Sequence, residues 1–387
     1  MEGASIPLRT TIFAVIAAGI MYAILLDHIG EDMVNFLLPW FDHIRATGPV
    51  VAFAHPFGNY APPYLYLLAL TTIAAPLAHP VILIKLLSLA GAVALIAATW
   101  RLLTVLGVKQ AGRAVLIMIA MPSLVINTGL LAQCDAMWAA ACVMALAAAV
   151  ERKHGAMLGW CGLALAIKLQ PAFSAPLIVA LLIGRQVPVR LWPIAPLAFV
   201  AAMLPAWAEG WPAQDLASIY TGQAGWSPAL SMNAPNVWAI VQALPWIGEL
   251  PLTGLAIAAA VGASAWLIAR FASRPPERTE LVAAALLVTL VVVGLLPRMH
   301  ERFFFMADVL ALTLALARGD RRNWLVFVLV QSGSMLGLTA YLTGIEACAI
   351  VGAVPMIVAT TLVARQFLVS PANDNGLPLN PFRAYPA

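Results

Sequence analysis

Apolar residues fill this chain in long stretches that are separated by short polar turns. The stretches approach the ~20 residues that an α-helix needs to cross a lipid bilayer. The pattern predicts an all-α, polytopic transmembrane helix bundle of about twelve spans. We place the spans near residues 9–26, 80–103, 112–131, 135–150, 155–168, 171–184, 190–208, 250–272, 279–297, 303–317, 324–342 and 346–364.

The basic residues decide how one further apolar run, residues 61–78, is interpreted. If this run does not span, all but five of the 21 basic residues lie on one side of the membrane. The five on the other side are Arg45, Lys85, Lys168, Arg298 and Arg302. Counting 61–78 as a span would invert every later loop and remove the asymmetry. The positive-inside rule therefore favours an interfacial or re-entrant segment, with both termini in the cytoplasm.

Composition supports a membrane protein and excludes other classes. The chain is 63% hydrophobic and has a mean hydropathy of +0.92, which no soluble domain would have. The net charge of +4 is explained by membrane orientation, so we expect no nucleic-acid partner. The four cysteines lie in or beside apolar segments without metal-ligand spacing and indicate no disulfide framework. The first apolar run lacks a small-residue cleavage site and is interpreted as a retained span.

The same topology divides the chain into one transmembrane domain and a tail. Residues 1–366 form the domain, with a first outer loop at 27–79 that carries interfacial helices and a second long outer loop at 209–249. Residues 367–387 are rich in proline and asparagine and are predicted to be a disordered cytoplasmic tail. Most acidic residues and histidines fall at the outer face, so any chemistry is expected there.

The first outer loop opens with a candidate catalytic segment, "GEDMVNFLLPWFDHI". Glu31 and Asp32 begin a helix whose apolar positions recur at helical spacing, at Val34, Leu37, Leu38 and Phe41. The predicted helix lies along the membrane surface with its acidic start free. Ordinary capping of the helix N-terminus explains the two carboxylates equally well.

Four more polar clusters fall on the same outer face. They are Asn59 and Tyr60 before a Pro-Pro turn, Gln133 and Asp135 between two spans, Lys168 and Gln170 between two short apolar segments, and the group Arg298, His300, Glu301 and Arg302. A simple turn accounts for the first cluster, and snorkelling of the lysine side chain explains Lys168 about as well as a functional role does. Snorkelling explains the fourth group poorly, because two arginines on the disfavoured side are costly to insert.

An anion at the outer boundary explains the fourth group best. Arginines hold phosphate oxygens bidentately, and a carboxylate elsewhere serves as base for an incoming hydroxyl. Transfer of a sugar from a polyprenyl phosphate requires that arrangement, and an enclosed cavity would exclude water as the competing nucleophile.

The order of these motifs resembles that of the GT-C superfamily of membrane glycosyltransferases. It is similar to the dolichyl-phosphate-glucose-dependent glucosyltransferases and to bacterial polyprenyl-phosphate-mannose mannosyltransferases. Where those enzymes have a Gly-Asp that opens a surface helix ending in Trp, this chain has Gly30, Glu31, Asp32 and Trp40, with one residue inserted. The other matches are Tyr60-Ala61-Pro62-Pro63 for a Tyr-Pro-Pro turn, Lys168-Leu169-Gln170 for a Lys-Gln segment, and His300-Glu301-Arg302 for a His-Glu-Lys or His-Glu-Arg turn.

The resemblance covers about residues 9–310, and it rests on motif order and shared sidedness rather than on any single motif. It implies that Asp32 is the base that deprotonates the acceptor hydroxyl, with inversion at the anomeric carbon and with Glu31 as competitor for that role. Arg298, His300, Arg302 and Lys168 would hold the donor phosphate. Asn59, Tyr60, Gln133, Asp135, Gln170 and Glu301 would line the sugar or acceptor site, with Glu301 orienting Arg302.

The resemblance also implies the partners, which are a polyprenyl-phosphate sugar as lipid donor, a glycolipid or glycan acceptor and membrane lipids. The short loops and the lack of a large soluble domain indicate a bacterial inner membrane, with the active site facing the periplasm. No cofactor or metal is expected, although convergence of Asp32, Asp135 and Glu301 on a metal stays open.

Two other functions stay open at this point. A transporter or flippase of a lipid-linked sugar would also place charges along a membrane path, but it needs access from both sides. A wall-polymer ligase shares the lipid-phosphate chemistry, yet the second outer loop has no arginine or histidine. Which hexose is transferred, mannose or glucose, depends on a few hydrogen bonds that the sequence does not reveal.

Overall fold

A computed structural model describes residues 6–221, 229–247 and 250–368 as an almost entirely helical chain. The helices are α1 Leu8–Leu25, α2 Leu38–Thr47, α3 Pro62–Thr72, α4 Pro80–Val105, α5 Ala111–Val115, α6 Pro122–Val125, α7 Asp135–Val150, α8 His154–Ile167, α9 Ala175–Ile183, α10 Ile194–Glu209, α11 Ala213–Ser218, α12 Val237–Gln242, α13 Thr253–Ser273, α14 Leu281–Leu295, α15 Phe305–Arg318, α16 Arg321–Thr343 and α17 Ala347–Leu368. Two short strands, β1 Ser231–Met232 and β2 Met299–His300, pair in parallel.

Six helical segments are long and apolar enough to cross a bilayer, so the prediction of an all-α membrane bundle is confirmed. They are α1, α4, Val189–Glu209, α13, α16 and α17. Apolar side chains on their outer faces, such as Phe13 at 73% exposure and Ile24 at 72%, are tolerable only against lipid.

The remaining predicted spans are helical as well, but they are shorter. Four apolar segments, Asp135–Val150, His154–Ile167, Gln170–Ile183 and Leu281–Leu295, have fewer than 18 residues. The longest of them, α7, measures about 24 Å, against ~30 Å of hydrocarbon. Helices α7, α14 and α15 are buried on nearly all sides and form the centre of the bundle. Twelve full crossings therefore stay a prediction.

The predicted single span at 112–131 is instead broken. Segments Ala111–Ala120 and Pro122–Leu130 meet at an angle of 59°, because Met121 is extended and Pro122 begins the next turn. A π-helical turn, Ile126–Leu130, follows. The backbone carbonyl of Asn127 in this turn accepts a hydrogen bond from the backbone N–H of Gln133 at 2.9 Å. This break directs the side chains of Asn127 and Gln133 into the bundle.

The first outer loop packs against the bundle more closely than its pattern predicts. Residues 61–78 contain the 11-residue helix α3, whose length of about 16 Å is too short to cross a bilayer. The acidic segment enters a π-helical turn, Met33–Leu37, and continues as α2. The predicted apolar face is partly wrong, because Val34 is 54% exposed. The buried positions are Met33, Leu37, Trp40, Phe41 and Ile44.

The strand pair links the second outer loop to the segment that carries the arginines. Ser231 pairs with Met299 and Met232 with His300, and the backbone N–H of Arg298 donates to the carbonyl of Leu230 at 2.8 Å. The second loop therefore holds the His-Glu-Arg turn in position. At the other end of the chain, the predicted tail boundary at residue 367 is two residues too early, because Phe367 and Leu368 belong to α17. The rest of that prediction, for residues 369–387, falls outside the described residues.

Candidate active site

Seven of the predicted site residues form one hydrogen-bonded and ion-paired network at one end of the bundle. Five separate parts of the chain supply them: the start of the first outer loop, the turn before α3, the start of α7, the end of α8 and the turn before α15. The members are Asp32, Tyr60, Gln133, Asp135, Lys168, Glu301 and Arg302. The network places residues that are up to 270 positions apart within hydrogen-bonding distance.

Gln133 is the centre of this network. Its Nε2 donates to Oδ2 of Asp32 at 2.7 Å, and its Oε1 accepts the Tyr60 hydroxyl at 2.9 Å. The Lys168 ammonium lies 3.5 Å from the same Oε1. Ser88 donates to the Gln133 carbonyl at 2.8 Å, so both the backbone and the amide of Gln133 are fixed.

Asp135 is a fully occupied buried carboxylate. It accepts from Lys168 Nζ at 2.7 Å, from Trp138 Nε1 at 2.9 Å and from Asn127 Nδ2 at 2.8 Å. Lys168 is itself buried and lies over the ring of Tyr60, 4.9 Å from its centroid. Snorkelling is therefore wrong for Lys168, which is an internal counter-ion and ordering group for Asp135.

Arg302 connects two carboxylates. Its Nη1 donates to Glu301 Oε1 at 2.9 Å, and its Nη2 lies 3.2 Å from Oδ2 of Asp32. Burial by itself would raise the pKa of Glu301, but the Arg302 guanidinium and the nearby His300, at 3.7 Å, hold that pKa below its usual range. The Glu301 carboxylate is thus hydrogen-bonded to the Arg302 guanidinium.

Asp32 differs from the other two carboxylates in accessibility. Its side chain keeps 22% exposure, whereas those of Asp135 and Glu301 keep 2% and 1%. Both of its contacts use Oδ2, so Oδ1 has no partner among the described residues. Asp32 also makes no capping hydrogen bond, which removes the capping explanation for this residue. It is a positioned, accessible acceptor.

Glu31 has none of these features. It is exposed, and it makes no hydrogen bond or ion pair within the part of the chain that the structure describes. The π-helical turn that follows directs Asp32 toward Gln133 while Glu31 stays outside the network. The geometry favours Asp32 over Glu31 as the residue with a chemical role.

The other predicted residues lie around the network rather than in it. His300 and Arg298 are half-buried, and Arg298 adopts a left-handed backbone with φ of 61°. Its Nε has no partner among the described residues. Gln170 is buried with its Oε1 unpartnered, and Asn59 is exposed next to Tyr60. Burial also raises the pKa of Tyr60 to about 12, so it stays a hydrogen-bond donor at neutral pH.

Three contributing residues were missed by the sequence analysis. Asn127 and Trp138 bind Asp135, and Ser88 binds the Gln133 backbone. Asn127 carried a signal, since it is an isolated amide inside an apolar run. Ser88 and Trp138 carried none, because such residues are common in membrane helices.

A metal at Asp32, Asp135 and Glu301 does not fit the geometry. Each of these carboxylates forms an ion pair with Lys168 or Arg302, and the three do not converge on a common point. Within residues 6–221, 229–247 and 250–368, no three His, Cys, Asp or Glu side chains lie together as a potential metal site. Two cations against three carboxylates leave the network with one excess negative charge.

Comparison with known proteins adds no constraint. Neither protein-family models nor curated proteins give a match to this chain. The function has to be inferred from the geometry of the site.

Proposed function

We propose that this protein is a membrane glycosyltransferase of GT-C type. It moves a hexose, mannose or glucose, from a polyprenyl-phosphate sugar to an acceptor hydroxyl, with inversion of the anomeric carbon. The observation that carries the proposal is the state of Asp32, whose Oδ2 is held by Gln133 and Arg302 while Oδ1 is unpartnered among the described residues. A fixed carboxylate with one free oxygen is what a general base for an alcohol requires.

The reaction then balances as one displacement. Asp32 takes the proton of the acceptor hydroxyl as that oxygen forms a bond to the anomeric carbon. The bond between the anomeric carbon and the phosphate oxygen breaks on the opposite face, and the polyprenyl phosphate leaves with the electron pair. Because the charge increases on the phosphate, cations near it lower the barrier.

The cations of the site differ in their availability for that phosphate. Lys168 is buried against Asp135, so we assign it to ordering the site. Arg302 is shared between Glu301 and Asp32. Arg298, with an unpartnered Nε, and the half-buried His300 are therefore assigned as the first phosphate contacts, with Arg302 nearest to the base.

An apolar groove beside the site supports a lipid donor. It has a volume of about 870 Å³ and is formed by α4, α7 and α8, with Leu67 and Ile167 near one end and Trp100 near the other. Ile167 directly precedes Lys168, so the groove begins next to the polar network. We assign it to the prenyl chain of the donor, at an inner membrane with the site on the periplasmic face and both termini cytoplasmic.

The test is transfer of radiolabelled sugar from a panel of synthetic polyprenyl-phosphate hexoses by the purified full-length protein. We expect Asp32→Asn to lower kcat by about 10²- to 10⁴-fold, whereas Glu31→Gln and Asp42→Asn retain activity. Asp42 is the matched control because it is an exposed carboxylate in the same loop. Full activity of a folded Asp32→Asn protein would refute the base assignment. Donor binding by wild type without transfer would refute the enzyme and favour a flippase.

A further inference from the structure

A second polar cluster lies behind the Glu301–Arg302 turn, and the proposed reaction does not use it. Its central residue is Asp308 in the first turn of α15, which is 0% exposed. Neither carboxylate oxygen has a hydrogen-bond partner among the described residues. The hydroxyls of Ser123 and Ser334 are near it, but neither makes a hydrogen bond to it of ordinary geometry.

Several other oxygen atoms around the same cavity also make no hydrogen bond within the described residues. They are Oδ1 of Asn127, the Ser334 hydroxyl and Oε2 of Glu301, which lies 3.7 Å from Nδ1 of His300. Together with Ser123, Arg302 and Asp308 these residues line one small cavity between the broken helix, α15 and α16. The cavity has room for a single water-sized particle. Buried polar atoms are almost always paired, so several orphaned acceptors around one space indicate a ligand.

The charges around the cavity indicate the sign of that ligand. Arg302 is the cation in its lining; its two Nη atoms contact Glu301 and Asp32, and its Nε has no hydrogen-bond partner among the described residues. Adding Asp308 to the network gives four carboxylates against two cations. A buried ionised carboxylate without a partner is strongly unfavourable in a membrane protein, so Asp308 needs a compensating positive charge, which is either a proton on its own carboxyl or a bound cation.

The donor atoms indicate which cation fits. Carboxylate, amide carbonyl and hydroxyl oxygens are ligands for hard cations, and nitrogen or sulfur ligands of the kind that bind zinc are not in this lining. Asp308 is the one carboxylate here without a positive partner, which matches a monovalent ion. The small space favours the smaller alkali ions. The adjacent helix break is also a place where irregular backbone is typical of ion sites in membranes.

We propose that this cavity is a sodium site in which Asp308, Asn127 and the Ser123 and Ser334 hydroxyls supply the oxygen ligands. The ion connects the broken helix to α15 and α16 and lies against Oε2 of Glu301. It thereby stabilises the turn that carries Arg302. The proposal concerns ion binding and does not depend on the proposed transferase activity.

The test measures thermal unfolding of the full-length protein in nanodiscs. NaCl is replaced stepwise by KCl or by N-methyl-D-glucamine chloride at constant ionic strength, so screening stays fixed. We expect a saturable rise of Tm by a few degrees with sodium and a much smaller rise with potassium. Equal Tm in all three salts would overturn the proposal. A Tm that responds to pH but not to sodium would overturn it as well, because Asp308 would then hold a proton.

Variants assign the effect to the cavity. Asp308→Asn should remove the sodium-dependent rise, and Asp42→Asn, which removes an exposed carboxylate, should keep it. If Asp308→Asn does not fold, Ser334→Ala removes one ligand and should shift the sodium midpoint to several-fold higher concentration. A sodium response that is unchanged in Ser334→Ala and in Asp308→Asn would place the ion elsewhere and refute the site.

Discussion

The buried pair of Lys168 and Asp135 allows a sharp test of the site's internal electrostatics. Lys168→Met keeps the length and the apolar stem of the side chain but removes its charge. Asp135 would then keep only its hydrogen bonds from Asn127 at 2.8 Å and Trp138 at 2.9 Å. Both of these donors are neutral, and the carboxylate is only 2% exposed.

The expected loss follows from that uncompensated charge. Removing one partner of a buried ion pair lowers the free energy of unfolding by about 3–5 kcal/mol, because the remaining ion stays buried without solvation or a counter-ion. We expect Lys168→Met to lower the free energy of unfolding by about 4 kcal/mol. The double variant Lys168→Met, Asp135→Asn should recover most of the loss, because a neutral amide at position 135 still satisfies Trp138 and needs no counter-ion.

The assay is reversible unfolding in mixed micelles, followed by helical circular dichroism. Lys153→Met is the matched control, because Lys153 pairs with Glu151 at 3.4 Å and is 61% exposed. Little change is expected there, since exposed ion pairs contribute little. The reasoning is refuted if Lys168→Met unfolds at the same denaturant concentration as Lys153→Met, or if the double variant is no more stable than Lys168→Met alone.

Three further predictions concern pH, packing and topology. Because the folded-state pKa of Glu301 is depressed, its stabilisation is complete above the ordinary value of 4.5 and is lost as pH falls further. Unfolding midpoints between about pH 3 and pH 7 should show this loss in wild type and a smaller one in Glu301→Gln. Gly162→Ala should cost about 1–3 kcal/mol of unfolding free energy, because a Cβ there would clash with the backbone oxygen of Ala195; Gly159→Ala, whose Cβ would have its nearest neighbour at 3.9 Å, should not. Reporter fusions after Leu106 should score cytoplasmic and fusions after Arg45 external, and the same side for both would contradict the topology.

Part of the site could be predicted because its residues break an apolar background. Lys168, Asp135 and Arg302 are conspicuous for that reason, and the structure brings them into one network with Asp32. Their pairing was not predictable. Four phosphate-binding cations were expected, yet Lys168 is paired with Asp135, and Arg302 is shared by two carboxylates.

The sequence by itself determined the class of protein and the position of nearly every helix. The length of an apolar run decides whether that segment can cross the bilayer, and the basic residues beside it favour the cytoplasmic side. Both features can therefore be evaluated one segment at a time. They also predict that 61–78 does not span, and the helix within this segment, α3, has 11 residues.

Only the tertiary structure determined the directions of the helices and side chains and the contacts between distant residues. The break at Met121 and Pro122, the contact of Gln133 with Asp32 rather than with Glu31, and the cavity at Asp308 all depend on how separate helices face one another. Side chains that lie hundreds of residues apart in sequence meet there, and whether a buried charge is paired depends on its neighbours in space. A linear pattern identifies the charged residue, but its partner is set by the packing of the bundle.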